Sequence, residues 1–153
     1  MRLTLTAVAL TLALAAPAPG ADEQQWGFIE ADGDARLFYG VPDSGSLTIV
    51  FICEAERRHI EVVTTVLPRR PRTGQSVRTT LGNGALTARY DGKIGHTESE
   101  GFYSTASAAF APAILDVLKS GTTLTISVQD KRERVPLRGV ADSLAKFEAA
   151  CFH

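Results

Sequence analysis

No phosphate-cradling glycine loop, no Gly-x-Ser-x-Gly elbow and no His-Glu-x-x-His helix occurs anywhere in this 153-residue chain, which removes the common signatures of nucleotide binding, acyl transfer and zinc hydrolysis. Cysteine is scarce as well. Cys53 and Cys151 are the only two, and without a Cys-x-x-Cys spacing neither has the usual device for lowering a thiol pKa, so a redox-active role is not expected. An excess of positive charge is also missing. Lys and Arg number 16 against 17 Asp and Glu, a balance that argues against a nucleic-acid partner, which selects a large positive field. After the first twenty residues no long apolar run appears, so no later segment offers the roughly 20 residues that span a bilayer.

The one long apolar run opens the chain. MRLTLTAVALTLALAAPAPG carries a single charge, Arg2, then an apolar stretch from Leu3 to about Ala16, then small residues and prolines, the pattern of a secretory signal peptide. Cleavage is expected after Ala18-Pro-Gly20 or one residue later. Residues 1–20 are therefore read as a leader and 21–153 as a single exported β-rich domain, periplasmic or secreted. The remaining length suits one core and is too short for two. Removing Arg2 leaves 15 basic against 17 acidic residues, a formal charge near −2. Along the chain the signs separate: residues 22–56 hold eight acids and only Arg36, whereas residues 57–89 hold seven arginines and only Glu61. In a sheet such segments either interleave and cancel or stay apart.

Alternation dominates the patterning. Trp26–Glu30 and Ala35–Gly40 flank an Asp32-Gly33 turn and read as a hairpin. Leu47–Cys53 is apolar or β-branched at almost every position, as expected of a strand covered on both faces, and this predicts the centre of the sheet. His59–Val66 reads as a half-buried strand. Leu67–Gly74 contains two prolines and three arginines, which predicts an exposed, stiff, basic loop rather than a central strand. Ser76–Leu81, Leu86–Tyr90 and Lys93–Glu98, parted by Gly82-Asn-Gly84 and Asp91-Gly92, read as a meander. The period then becomes helical over 110–121, returns to a strand with inward Leu124, Ile126 and Val128, turns around Asp130-Lys131, and continues to Leu137 with Pro136 marking an edge. In the last segment Val140, Leu144, Phe147 and Cys151 are spaced four, three and four apart, one face of a helix. The fold class is therefore α+β, mainly β: an antiparallel, sandwich-like sheet of about 8–10 short strands with two C-terminal helices.

That final face must be buried against the sheet, which aims the Cys151 sulfur inward. Cys53 shares its strand face with Leu47, Ile49 and Phe51 and points into the same core. In an exported protein the two are expected to be oxidised to a disulfide.

Four groups of residues carry possible chemistry. Val41-Pro-Asp-Ser-Gly-Ser46 echoes the context of a serine nucleophile, but all three histidines, His59, His96 and His153, follow it in the chain, and the bland reading is a turn between strands. His96, Glu98 and Glu100 alternate, so in an extended segment they share a face and form a candidate metal site; the competing reading is a solvated edge. Arg57 and Arg58 precede one predicted strand, and Arg69, Arg70 and Arg72 follow it, which separates the two groups by about 20–30 Å. Arginine forks suit phosphates, carboxylates and acidic protein faces, and the same residues also simply keep a surface wet. No cofactor is called for.

From Phe110 through LKSGTTLTISV to VPLRGVADSLAKFEAAC, the order helix, strand, strand, glycine turn, helix, cysteine rests on Leu118, Gly121, Leu124, Ile126, Leu137, Gly139, Leu144 and Cys151. This ending resembles the periplasmic accessory proteins of type VI secretion and, more loosely, the invasion-associated secreted proteins of proteobacteria. The resemblance covers about 45 residues. It implies a small sandwich-like domain with a tethering disulfide and no established catalytic residues. The expected function is that of a non-enzymatic periplasmic protein that binds a protein partner or envelope component, with the Pro/Arg loop as its contact. The alternatives are a small-ligand or metal-binding module and, further off, a minor hydrolase.

Overall fold

Strands make up just over half of the described residues, and in the computed structural model, which describes residues 23–31, 33–54, 59–109 and 113–151, they join in one sheet. In chain order they are β1 (Gln25–Ala31), β2 (Asp34–Gly40), β3 (Leu47–Glu54), β4 (His59–Thr64), β5 (Ser76–Gly82), β6 (Thr87–Thr97), β7 (Gly101–Ala109), β8 (Thr123–Val128) and β9 (Lys131–Pro136). Helix α1 (Ala113–Lys119) precedes β8, and α2 (Val140–Cys151) follows β9. The order across the sheet is β1-β2-β3-β4-β7-β6-β5-β8-β9, antiparallel throughout. The fold is thus α+β and mainly β. Among the described residues no helix is long and apolar enough to cross a membrane.

The sheet curls until its two ends meet. Inward residues lie in rows across the strands: Leu37, Phe51, Val62 and Ala106 are successive register partners and all are buried. A single core joins these to Leu81, Leu124 and Ile126 from the other half, which is the sandwich-like arrangement the patterning predicts. Trp26 on the first strand packs against Tyr39 with the rings tilted and donates its indole Nε1–H to the Pro136 carbonyl at the end of the last strand, at 2.7 Å. A buried indole needs such an acceptor. This bond latches the two edges of the curl together.

Helix α2 lays Val140, Leu144 and Phe147 against β1 and β2. Complete burial of Phe147 alone contributes about 2–3 kcal/mol. One turn beyond it, Cys151 meets Cys53 in a disulfide, with the Cα atoms 6.0 Å apart. Helix α1 is held by Asn83, whose Nδ2 donates to the carbonyls of Val117 and Ser120 while its Oδ1 accepts the amides of Ala85 and Leu86. Carbonyls at a helix end lack intrahelical donors, and Asn83 supplies them from the β5–β6 turn. Lys119 at the end of α1 reaches Glu148 on α2 at 2.7 Å.

Two expectations are corrected. The Asp91-Gly92 pair forms no turn, because β6 runs unbroken from Thr87 to Thr97. Its first half pairs with β5 and its second with β7, overlapping at Gly92 and Lys93. A Cβ on Gly92 would lie 2.1 Å from the Thr105 carbonyl oxygen, so the glycine permits close strand approach rather than chain reversal. The centre of the sheet is not β3 but β7, a strand of small residues that carries no strong apolar signal. The outward apolar residues of β3 are satisfied in another way: Val50 lies between Phe38 and Val63 in a cross-strand row on the outer face. The inner face of β3 packs into the core and its outer face is shielded by cross-strand side chains, which needs no central position.

Candidate functional site

The Pro/Arg loop leaves β4 under firm control. Thr64 Oγ1 donates to the Thr48 carbonyl at 2.6 Å and accepts the Val66 amide, and Thr65 Oγ1 donates to the Leu47 carbonyl at 3.1 Å. Val66 and Pro68 are buried and Pro71 is half-buried, whereas Arg69, Arg70 and Arg72 are exposed. At the far end the Arg72 amide donates to Gln75 Oε1, the Gln75 amide returns to the Arg72 carbonyl, and Gly74, at φ +78°, donates to the Ile94 carbonyl at 2.8 Å. The prolines limit φ and the hydrogen bonds fix both roots. Three guanidinium groups are thereby carried into solvent on a stiff frame.

The loop does not stand alone. Arg69 approaches Asp130 in the β8–β9 turn, with Nε to Oδ2 at 3.8 Å. At 81% side-chain exposure for the arginine, such a pair contributes at most about 1 kcal/mol, so its role is orientation. Beyond Asp130 the edge strand begins with Lys131, Arg132, Glu133 and Arg134, all exposed. A cleft of about 360 Å³ separates the two elements, with Thr48, Thr65, Val66 and Leu67 on one side and Lys131, Arg132 and Glu133 on the other. The site is therefore composite, and the β9 cations are the part that the sequence patterning does not reveal. Pro136 is the signal that marks this strand as an edge.

Other candidates fall out differently. Arg57 and Arg58 lie outside the described residues, whereas Arg69, Arg70 and Arg72 follow the end of β4. The segment at His96 does not stay extended. β6 ends at Thr97, Glu98 to Glu100 form a turn closed by the Glu100 amide on Thr97 Oγ1, and Gly101 adopts φ +75°. The common face required of His96, Glu98 and Glu100 is lost, and the His96 ring packs against Phe102 at 4.5 Å. Among the described residues no group of three His, Cys, Asp or Glu side chains is placed to hold a metal ion. The Ser44 hydroxyl is engaged in its own turn, donating to the Val41 carbonyl at 2.8 Å and accepting the Ser46 amide. A second surface depression, about 520 Å³, is crossed by an Arg78–Asp91 ion pair at 2.8 Å. The guanidinium bonded to Asp91 holds its carboxyl below the ordinary value.

The chain matches no protein-family model, no curated protein and no solved structure. The paired cysteines are compatible with an extracytoplasmic protein.

Proposed function

We propose that this chain is a non-enzymatic periplasmic protein that works by binding another protein or an envelope component, delivered there by its leader and clamped in an oxidising compartment by the Cys53–Cys151 bridge. The observation that carries this reading is the rigid presentation of Arg69, Arg70 and Arg72. A loop built only to stay wet needs no buried Pro68 and no hydrogen bonds at both roots, whereas a recognition surface gains affinity when its contact groups are held in place before binding. Planar arginine forks suit an acidic face. The C-terminal likeness to exported accessory proteins of type VI secretion agrees with such a role.

The test is charge reversal. An R69E/R70E/R72E protein should keep its melting temperature to within a few degrees, since all three side chains are exposed and the Arg69–Asp130 pair is worth at most about 1 kcal/mol, and should lose the partners that the parent retains from an envelope extract. Retention of the same partners at the same yield removes the loop from the reading.

A further inference from the structure

The polarity of the β9 edge can be worked out from its pairing. In an antiparallel ladder, alternate residues turn both N–H and C=O toward the neighbouring strand, and the residues between them turn both away. The Leu137 amide donates to the Thr122 carbonyl at 2.9 Å, in line with the β8–β9 register that pairs Thr123 with Pro136. Leu137, Val135, Glu133 and Lys131 therefore bond to β8. Pro136, Arg134 and Arg132 face away from it. The two-residue turn between Val128 and Lys131 requires the same assignment, because its closing pair is hydrogen-bonded. The Pro136 carbonyl is taken by the Trp26 indole. The main-chain groups of Arg132 and Arg134 remain on the open edge, beside the cleft that separates β9 from Thr65, Val66 and Leu67.

The side chains of the same two residues stand together on one face of the sheet, opposite Ser127 and Thr125 on β8, and neither has an ion-pair partner among the described residues. Edge charges of one sign keep two copies of such an edge apart, and for the same reason they attract a strand of the opposite sign. We infer that the free edge of β9 captures an extended acidic segment of a partner protein as an added antiparallel strand, with carboxylates at alternate positions meeting Arg132 and Arg134. Residues directly opposite in such a pair share a face, so a Glu-x-Glu or Asp-x-Asp spacing fits and adjacent carboxylates do not. The Trp26 latch ends the docking edge at Pro136, and the Arg69–Asp130 contact places the basic loop at its other end. This deepens the binding reading above and rests on it.

The probe is a labelled peptide, Thr-Val-Glu-Val-Glu-Val-Thr, titrated by fluorescence anisotropy into the full mature protein. N-methylation of the two glutamate amides keeps every carboxylate but removes the donors aimed at β9, and should weaken binding about tenfold or more, the worth of one or two net main-chain hydrogen bonds. N-methylation of the flanking valines leaves that edge intact and should change little. R132E/R134E should abolish binding, and the charge-swapped peptide with Lys for Glu should restore it. Equal binding of both methylated peptides, or binding of the parent peptide unaffected by R132E/R134E, overturns the inference. The wider reading fails separately: R69E/R70E/R72E would then leave the native partners bound, whatever the peptide does.

Discussion

Replacing Cys151 with serine isolates what the bridge contributes. Cys151 is half-buried at the end of α2, and its partner Cys53 is 1% exposed, so a change at Cys151 removes the cross-link while leaving the core atoms around Cys53 nearly undisturbed. The bridge joins residues 98 apart in sequence. In the chain-entropy account a closed loop of this size stabilises the native state by about 4–5 kcal/mol, through restriction of the unfolded chain. A single domain has about 5–15 kcal/mol in total, so C151S is left with between a small remainder and roughly two-thirds of its stability. For a domain of this length the melting temperature should fall by roughly 15 °C. Reducing agent should bring the parent to the same value and leave C151S unchanged. Hydrogen exchange then separates two mechanisms. If the bridge acts on the unfolded chain, the amides of α2 stay protected in C151S because Val140, Leu144 and Phe147 are still buried, and protection falls evenly with global stability. Exchange of α2 at unprotected rates, with the sheet at parental protection, would refute that reasoning and make the bridge a local tether. A melting temperature within about 3 °C of the oxidised parent would refute the magnitude.

Three further outcomes follow from single contacts. Asn83→Ala removes the bonds to the Val117 and Ser120 carbonyls at and just past the end of α1 and two to turn amides, and urea titration should show a loss of about 2–3 kcal/mol; a loss below about 0.5 kcal/mol would mean water replaces the side chain. Gly92→Ala forces a Cβ to within 2.1 Å of the Thr105 oxygen and 2.9 Å of the Ala106 Cα, main-chain atoms that cannot swing aside, so destabilisation of about 3 kcal/mol or more is expected; a stable variant would show that β6 and β7 separate easily. Burial pushes the Tyr90 phenol up from 10.0 to about 12. Its folded value then exceeds its unfolded one, so the contribution is complete below pH 10 and is lost as pH rises toward 12. The fall in melting temperature across that window should be shallower in Tyr90→Phe, and identical slopes would remove Tyr90 as the cause.

Much of the fold is legible because burial leaves a period. The β1–β2 hairpin, β3, β4, β5, β8 and β9 all follow from alternation and turn residues, and the 4-3-4 spacing of Val140, Leu144, Phe147 and Cys151 places α2 and brings its sulfur to Cys53. β7 escapes because its inward residues, Ser104 and Ala106, are small. With Ser104 and Ala106 inward, β7 shows neither a β-branched run nor a large apolar face, so alternation does not mark it even though it lies in the middle of the sheet. Asp91-Gly92 misleads for a related reason, since glycine serves equally for a tight turn and for close passage of two strands. Among the described residues, Arg69 and Arg78 pair with Asp130 and Asp91, both outside the acid-rich stretch.

The proposed binding surface divides along the same line. Arg69, Arg70 and Arg72 stand out because prolines exclude their segment from the ladder, which is a local fact. The roles of Arg132 and Arg134 depend on parity, and parity is set by the turn. A turn on Asp130 and Lys131, as the patterning predicts, would close on Gln129 and Arg132 and direct the main chain of Arg132 and Arg134 into β8. The observed turn lies one residue earlier, on Gln129 and Asp130, with Gln129 at φ +51°. That single step exchanges which residues face the open edge. Pro136 decides between the two alternatives. It has no N–H to give, so it is excluded from a hydrogen-bonded position beside β8. Counting back by twos from Pro136 then turns Arg134 and Arg132 outward. The proline that marks β9 as an edge also selects which two arginines that edge presents.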